Sequence, residues 1–265
     1  MKHHSVQIAA FVLCASLFGG CAAKDEVPAM TPEETAEAEA LQTRPEPEYR
    51  FPQERLEALR EELTEDRKIN PDVTGLLVFQ SDLVHEPVLQ GDDNGHYLYV
   101  DWETDEYRSY GSIMMDYRNH LDLDDMNTII YGHYIYEARN ADRTLVFTPL
   151  AELMHQENYE DNRYIALVTE NEVRYYELAL VYDCPMENAD GGQVTPDELQ
   201  FNLVEYEENY FDLYCESARA HRYYDTGVTL AHSDHLLTLQ TCIEGNTESR
   251  EILICKELER ISFGG

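Results

Sequence analysis

Positive charge is scarce in this sequence. Against 53 aspartates and glutamates it carries only 19 lysines and arginines in 265 residues, a formal net charge of −34 at pH 7. Such a surface repels polyanions, so nucleic acid is excluded as a partner on electrostatic grounds. No C-x-x-C pair occurs among the six cysteines, Cys14, Cys21, Cys184, Cys215, Cys242 and Cys255, which leaves zinc-ribbon and thioredoxin-type readings without support. There is no H-E-x-x-H, the usual helical signature of a zinc hydrolase. The apolar stretch from Val6 to Phe18 is shorter than the roughly 20 residues that span a hydrocarbon core.

That stretch has a different meaning. A short basic start, an apolar run and then small residues, in MKHHSVQIAAFVLCASLFGGCAAKDE, make an export signal over residues 1–20. Its ending, Leu17-Phe18-Gly19-Gly20-Cys21, is similar to a bacterial lipoprotein box with Cys21 as the lipidated residue, although Phe18 replaces the usual aliphatic side chain. The expected location is the extracytoplasmic face of the cell membrane, with tethering by lipidated Cys21 or by an uncleaved N-terminal anchor. In an exported chain, Cys184 and Cys215 become a candidate disulfide pair.

Residues 21–50 are rich in Glu, Ala, Pro and Thr and poor in large apolar side chains, so they bury too little surface to offset chain entropy and read as a flexible acidic tether. Over residues 51–69 the spacing of Leu56, Leu59 and Leu63 predicts a helix with a narrow apolar stripe, stopped by Asn70-Pro71. Residues 70–262 then form the main body. Eight short β-type runs follow one another there: GLLVF, HEPVL, SIMMDY, NTIIYGH, RYIALVT, EVRYYELALVY, HLLTLQTC and REILICKEL. With Thr169-Glu170-Asn171 as a hairpin turn, this pattern predicts a mainly β barrel or a two-sheet sandwich. Two helical insertions are expected, around Pro149 to Glu157 and from about Pro196 to Arg219. In the second, Phe201, Val204, Tyr210, Leu213 and Tyr214 are the candidate buried contacts.

Three residues have chemistry in their setting. Cys242 ends an apolar strand and precedes a polar loop, where a thiol can be a packed core group, a disulfide half, a metal ligand or a nucleophile. His133 follows Gly132 at the end of NTIIYGH, a strand-end position that suits a proton shuttle. Arg250 opens the next strand after Cys242, and if HLLTLQTC and REILICKEL are antiparallel neighbours the two residues face each other at the base of the loop. A metal reading is also open, through His133, His232, Asp234 and His235, and so is a noncatalytic extracytoplasmic lipoprotein that serves as a binding module.

YGH, TLxTC and an arginine opening the following strand, in that order, resemble the sortase family of cysteine transpeptidases. NPDVTGLLVF, EPVLQGDDNGHYL, YGSIMMDYRN and a helical insertion before TLQTC are similar to class B sortases, and the resemblance runs from about Asn70 to Leu258. It implies an eight-stranded β-barrel with an N-terminal helix and a long helical insertion. Cys242 would be the nucleophile, His133 the general acid and base, and Arg250 the oxyanion or carbonyl partner. Asn119, Tyr134, Gln240 and Thr241 would touch substrate, with Asp116, Tyr117 and Arg118 near the groove. No cofactor is implied. The partners it implies are secreted proteins with a C-terminal sorting signal similar to NPxTx, and an amine from a peptidoglycan precursor or cross-bridge. This chain has Gln240 where class B sortases often have Ser and Tyr134 where Asn is common, and Ile135 to Arg143 also differs, so substrate selection is where it departs.

Overall fold

A computed structural model describes residues 49–122, 124–136, 144–186, 202–243 and 246–264; the side chains of residues 242, 243 and 246–248 lie outside the description. The export signal, Cys21 and most of the acidic tether are likewise outside the described residues.

Helix α1 spans Gln53–Ile69 and buries Leu56, Leu59 and Leu63. It ends where Asn70 turns extended before Pro71, because the proline ring disfavours helical backbone in the residue preceding it. Eight strands follow: β1 (Val73–Phe79), β2 (His85–Leu89), β3 (Met114–Met115), β4 (Asn127–Tyr131), β5 (Tyr164–Thr169), β6 (Glu172–Pro185), β7 (Leu236–Ile243) and β8 (Asn246–Ser262). They close into a barrel in the order β1-β2-β3-β4-β7-β8-β6-β5. Of the barrel and the sandwich, the barrel is therefore the outcome, and closure pairs the strand edges that an open sheet would expose.

The β5–β6 hairpin turns where the sequence indicates, and Thr169 braces it: its Oγ1 accepts the Glu172 N–H at 3.2 Å and donates to the Glu172 carbonyl at 3.1 Å. Strand period sets which side chains fill the barrel. Leu237, Leu239, Leu253, Cys255 and Val181 belong to the interior cluster. Residues one position away, Leu236, Ile252, Ile254, Leu180 and Tyr182, cover the outside with the helix described next.

The helical insertions form with differences of detail. The segment around Pro149 to Glu157 forms 3-10 turns over Thr148–Met154 and Gln156–Asn158 followed by the short α2 (Tyr159–Asn162). Helix α3 covers Glu208–Ala220 and buries Phe211, Tyr214, Cys215 and Ala218, leaving Tyr210 and Leu213 about half exposed. The correct stripe follows from starting the helical period one residue later, at Phe211; Phe201 lies outside the described residues.

The Cys184–Cys215 disulfide does not form. Both are free thiols, as is Cys255, and the sulfur of Cys184 is directed at the Pro185 carbonyl at 4.0 Å. Burial pushes the Cys184 and Cys215 thiols up to about 11.

Candidate active site

Three strands position the site. β4 and β7 run parallel with Tyr131 opposite Gln240, and the Gly132 N–H extends the ladder by donating to the Gln240 carbonyl at 3.1 Å. His133 and Cys242 each lie two residues beyond that pair, so the parallel register carries both backbones to the same end of the sheet. β7 and β8 are antiparallel, with Cys242 and Arg250 as Cα partners; the register shifts immediately afterwards, between Cys242 and Ile243. Cys242 therefore occupies the last regular rung before the loop.

A cleft of about 420 Å³ opens at this place. β4 and its extension contribute Tyr131, Gly132 and His133, β7 contributes Gln240 and Thr241, and β8 contributes Arg250. The far wall is Asn94, Leu98 and Tyr99 from the long connection after β2, with Met114 from β3.

The packing at Gly132 is tight. A Cβ added there would meet the Phe147 ring at 2.6 Å, and Phe147 is fully buried and donates its N–H to the His133 carbonyl at 3.2 Å. Gly132 thus lets the His133 backbone lie directly on the barrel core.

His133 is half-buried, and its Nε2 lies 3.0 Å from the Leu98 carbonyl. A carbonyl only accepts, so Nε2 carries the proton and Nδ1 keeps its lone pair. Burial pulls the imidazole below its ordinary value, against the raising effect of the Leu98 carbonyl; the Arg250 charge adds to the lowering. The neutral ring is the resting form near neutral pH, and the Arg250 guanidinium, which lines the same cleft, favours it. Tyr99 covers the imidazole at 5.8 Å between centroids and stacks on Tyr107 at 6.4 Å.

Behind the far wall, Asp116 organises a buried network. Its carboxylate accepts from Arg118 at 2.8 Å, Tyr131 Oη at 2.7 Å and Asn94 Nδ2 at 2.9 Å. Complete burial would raise this carboxyl, but those donors, Arg118 first, hold it down to about 2. Arg118 also reaches Asn202 beyond β4 at 2.7 Å. Asp116 therefore fixes two groups that line the cleft, Asn94 and Tyr131.

The other expected contacts divide. Gln240 and Thr241 line the cleft, though Thr241 is 2% exposed and its hydroxyl is buried. Asn119 is instead buried below the groove, bonded to Asp125 at 2.9 Å and to the Asn127 carbonyl at 2.8 Å. Tyr134 is also buried and packs edge-on against Tyr136. The residues that sequence reasoning did not single out are Asn94, Leu98 and Tyr99. Leu98 acts through its backbone carbonyl, which no side-chain pattern reveals.

His232 and His235 do not converge on His133. His232 Nε2 faces the Tyr206 carbonyl at 2.7 Å and His235 Nδ1 the Asp125 carbonyl at 3.0 Å, while Asp234 pairs with Lys256 at 2.9 Å. Among the described residues no group of three His, Cys, Asp or Glu is arranged to hold a metal ion.

This barrel, with YGH and TLxTC brought together at one end, is similar to that of the sortase family of cysteine transpeptidases. Within it the relatives are class B sortases. The chain is 29% identical over 207 residues to sortase B of Staphylococcus aureus, covering 78% of each chain. To sortase B of Listeria monocytogenes it is 28% identical over 188 residues, covering 69% of this chain and 68% of the relative. The crystal structure of Clostridium perfringens sortase B superimposes with a TM-score of 0.61 at 26% identity, over 74% of this chain and 99% of that one. A Staphylococcus aureus sortase B–substrate complex, at 23% identity and a TM-score of 0.61 over 86% and 97% of the two chains, shares the fold. No protein-family model matches the chain. The chain is a homologue of the class B sortases.

Proposed function

We propose that this protein cleaves a C-terminal sorting signal similar to NPxTx after its threonine and transfers the new carboxyl end to an amine of the cell wall or of another protein. Cys242 is the nucleophile, His133 the general acid and base, and Arg250 the partner of the oxyanion. The observation that carries this reading is the Cys242–Arg250 rung lying beside the β4 extension that holds His133.

The chemistry balances with these groups alone. Nδ1 of the neutral His133 ring takes the Cys242 thiol proton, the thiolate attacks the threonine carbonyl, and negative charge develops on its oxygen, where the guanidinium of Arg250 offers two donors. As the peptide C–N bond breaks, His133 gives a proton to the departing nitrogen, leaving a thioester. An incoming amine then attacks the thioester carbonyl and gives up its proton to His133, and the Cys242 thiolate departs. Nδ1 is the proton-transfer atom, since Nε2 is committed to Leu98. Asn94, Tyr99 and Gln240 line the peptide groove, and Gln240, at the position where class B sortases often have Ser, is where the sorting motif is read.

The export signal and Cys21 support a place on the outer face of the cell membrane, with the acidic segment as tether. No helix of the described residues is long and apolar enough to cross a membrane.

The test is a panel of fluorogenic peptides of NPxTx, SPxTG and LPxTG type, incubated with the protein and an amine acceptor and followed by mass spectrometry. A thioester on Cys242 and a joined product are expected for the NPxTx type, and neither for Cys242→Ala. Turnover that survives in Cys242→Ala overturns the assignment.

A further inference from the structure

Directly beneath the Cys242–Arg250 rung, the barrel interior holds an unexpected row of polar side chains. Glu251 on β8 is the Cα partner of both Thr241 on β7 and Asp183 on β6. The three residues lie side by side across three strands, each next in sequence to a residue of the rung Cys242, Arg250 and Cys184. Alternation along β8 explains the separation: Arg250 lines the cleft, whereas Glu251 falls in phase with Leu253 and Cys255 of the interior cluster.

Glu251 has no exposed surface. Both of its carboxyl oxygens, together with Thr241 Oγ1 and Asp183 Oδ1, are buried without a hydrogen-bond partner. Four orphaned polar atoms in one row are costly, because each gives up hydration without a direct replacement. An aliphatic side chain at position 251 would fit the interior better. Retaining a carboxyl at a cost to stability, one residue from the guanidinium of the site, is the pattern of a functional group.

We propose that Glu251 is a positioning residue: packed beside Thr241 and Asp183 in one buried polar row, it fixes the rung that sets Cys242 opposite Arg250. The register shifts one residue beyond that rung, so the interior row belongs to the last regular part of the ladder before the loop. Neutrality matters equally, since an ionised carboxyl here would place a negative charge behind the oxyanion partner.

The surroundings favour the neutral form. Burial, and secondarily the Asp183 charge, push Glu251 well above the ordinary carboxyl range. The other titratable groups facing it are the phenols of Tyr223 and Tyr224, on the segment between α3 and β7. From β7 the facing group is the uncharged Thr241. Among the described residues no cation contributes to the Glu251 shift, and Arg250 lies on the opposite face of its own strand.

This inference rests on the transpeptidase reading, and the experiment separates the two. Glu251→Gln keeps volume and polarity but cannot ionise, whereas Glu251→Leu keeps volume alone. Both are compared with wild type from pH 5 to pH 10 in melting temperature, in the rate at which iodoacetamide alkylates Cys242, and in acylation by an NPxTx-type peptide. Because a raised carboxyl loses stability as pH climbs above its unfolded value, the wild type melts lower at pH 8 than at pH 5 and Glu251→Gln removes that component.

Folded Glu251→Leu should alkylate and acylate roughly tenfold more slowly than wild type, as expected when a reacting group is misplaced. Glu251→Gln should recover at least fivefold of that loss and hold its rate at alkaline pH, where the wild type falls away. If Glu251→Leu does not fold, Thr241→Val tests the same row and should slow alkylation. Wild-type rates in the Leu and Val variants overturn the proposal, and so does a folded Gln variant as slow as Leu or one with the wild-type alkaline limb. Wild type that never acylates overturns the transpeptidase reading instead, while the alkylation profiles still decide the role of Glu251.

Discussion

Cys242 and Arg250 are Cα partners in the last regular rung of the β7–β8 ladder. Their opposition is fixed by backbone hydrogen bonding, so a guanidinium opposite the thiol-bearing residue is a property of the register. It follows that charge alone at position 250 should not suffice. Arg250→Lys keeps the charge but loses the planar fork, and acylation should fall roughly 100-fold, the scale of losing an oxyanion donor. Pre-steady-state acylation of a sorting peptide measures this, and a loss of less than threefold would remove Arg250 from the role.

His133 predicts the acid limb of the reaction. Its imidazole is held below the ordinary value by burial, so the neutral ring persists to lower pH than in an unfolded chain. Stability from this group is complete above about 6.5 and is lost as pH falls through the folded midpoint. An NMR titration of the ring should give a midpoint under 6.5, with Nε2 protonated in the neutral form. A midpoint above that value would contradict the burial of the ring and the nearby Arg250 charge.

Gly132→Ala should separate fold from activity. The new methyl group meets a buried aromatic ring that has no room to withdraw. The expected cost is about 1–3 kcal/mol, as for other overpacked sites. Displacement of the adjacent His133 should slow acylation at least tenfold in protein that still folds, as judged by circular dichroism and peptide turnover on one preparation. Full activity would mean that the His133 backbone is not held against Phe147.

Asp116→Asn should cost about 2–3 kcal/mol, because it weakens charge-assisted bonds to Arg118 and leaves Tyr131 and Asn94 without their shared acceptor. The sign with pH is set by a carboxyl held down to about 2. Its contribution is present above the ordinary carboxylate value and disappears as pH falls toward 2. Denaturant titrations at pH 7 and pH 2.5 should show the difference between wild type and Asp116→Asn shrinking at the lower pH. A difference that does not change with pH would rule out the ionic network as its source.

Labelling should order the thiols. Cys255 is fully buried and burial raises its thiol well above the ordinary range, so it should stay unmodified in native protein. Half-buried Cys184, with its thiol pushed up to about 11, should react slowly, and Cys242 before either. Mass spectrometry of alkylated peptides over time checks the order, and native labelling of Cys255 ahead of Cys242 would refute it.

What the sequence by itself determined is local. The period of two in the β runs, the leucine spacing of α1 and the Thr169-Glu170-Asn171 turn are each set by neighbours a few residues apart, and the structure forms those elements. The phase of α3 was harder to read, because apolar residues at positions 210, 211, 213 and 214 support two stripes, and only packing against β6 and the outer barrel face chose Phe211 and Tyr214. The candidate site was legible as three ordered motifs, and TLxTC followed by an arginine even fixes their antiparallel opposition. The tertiary structure alone decided the rest. Parallel pairing of β4 with β7 joins segments more than a hundred residues apart, barrel closure selects one of two β architectures, and the carbonyl of Leu98 assigns the proton on His133. The same holds for Glu251, which reads in sequence as one more surface acid in a chain of 53 acidic residues. Its burial beneath the rung arises because strand alternation sends every second side chain inward whatever its polarity.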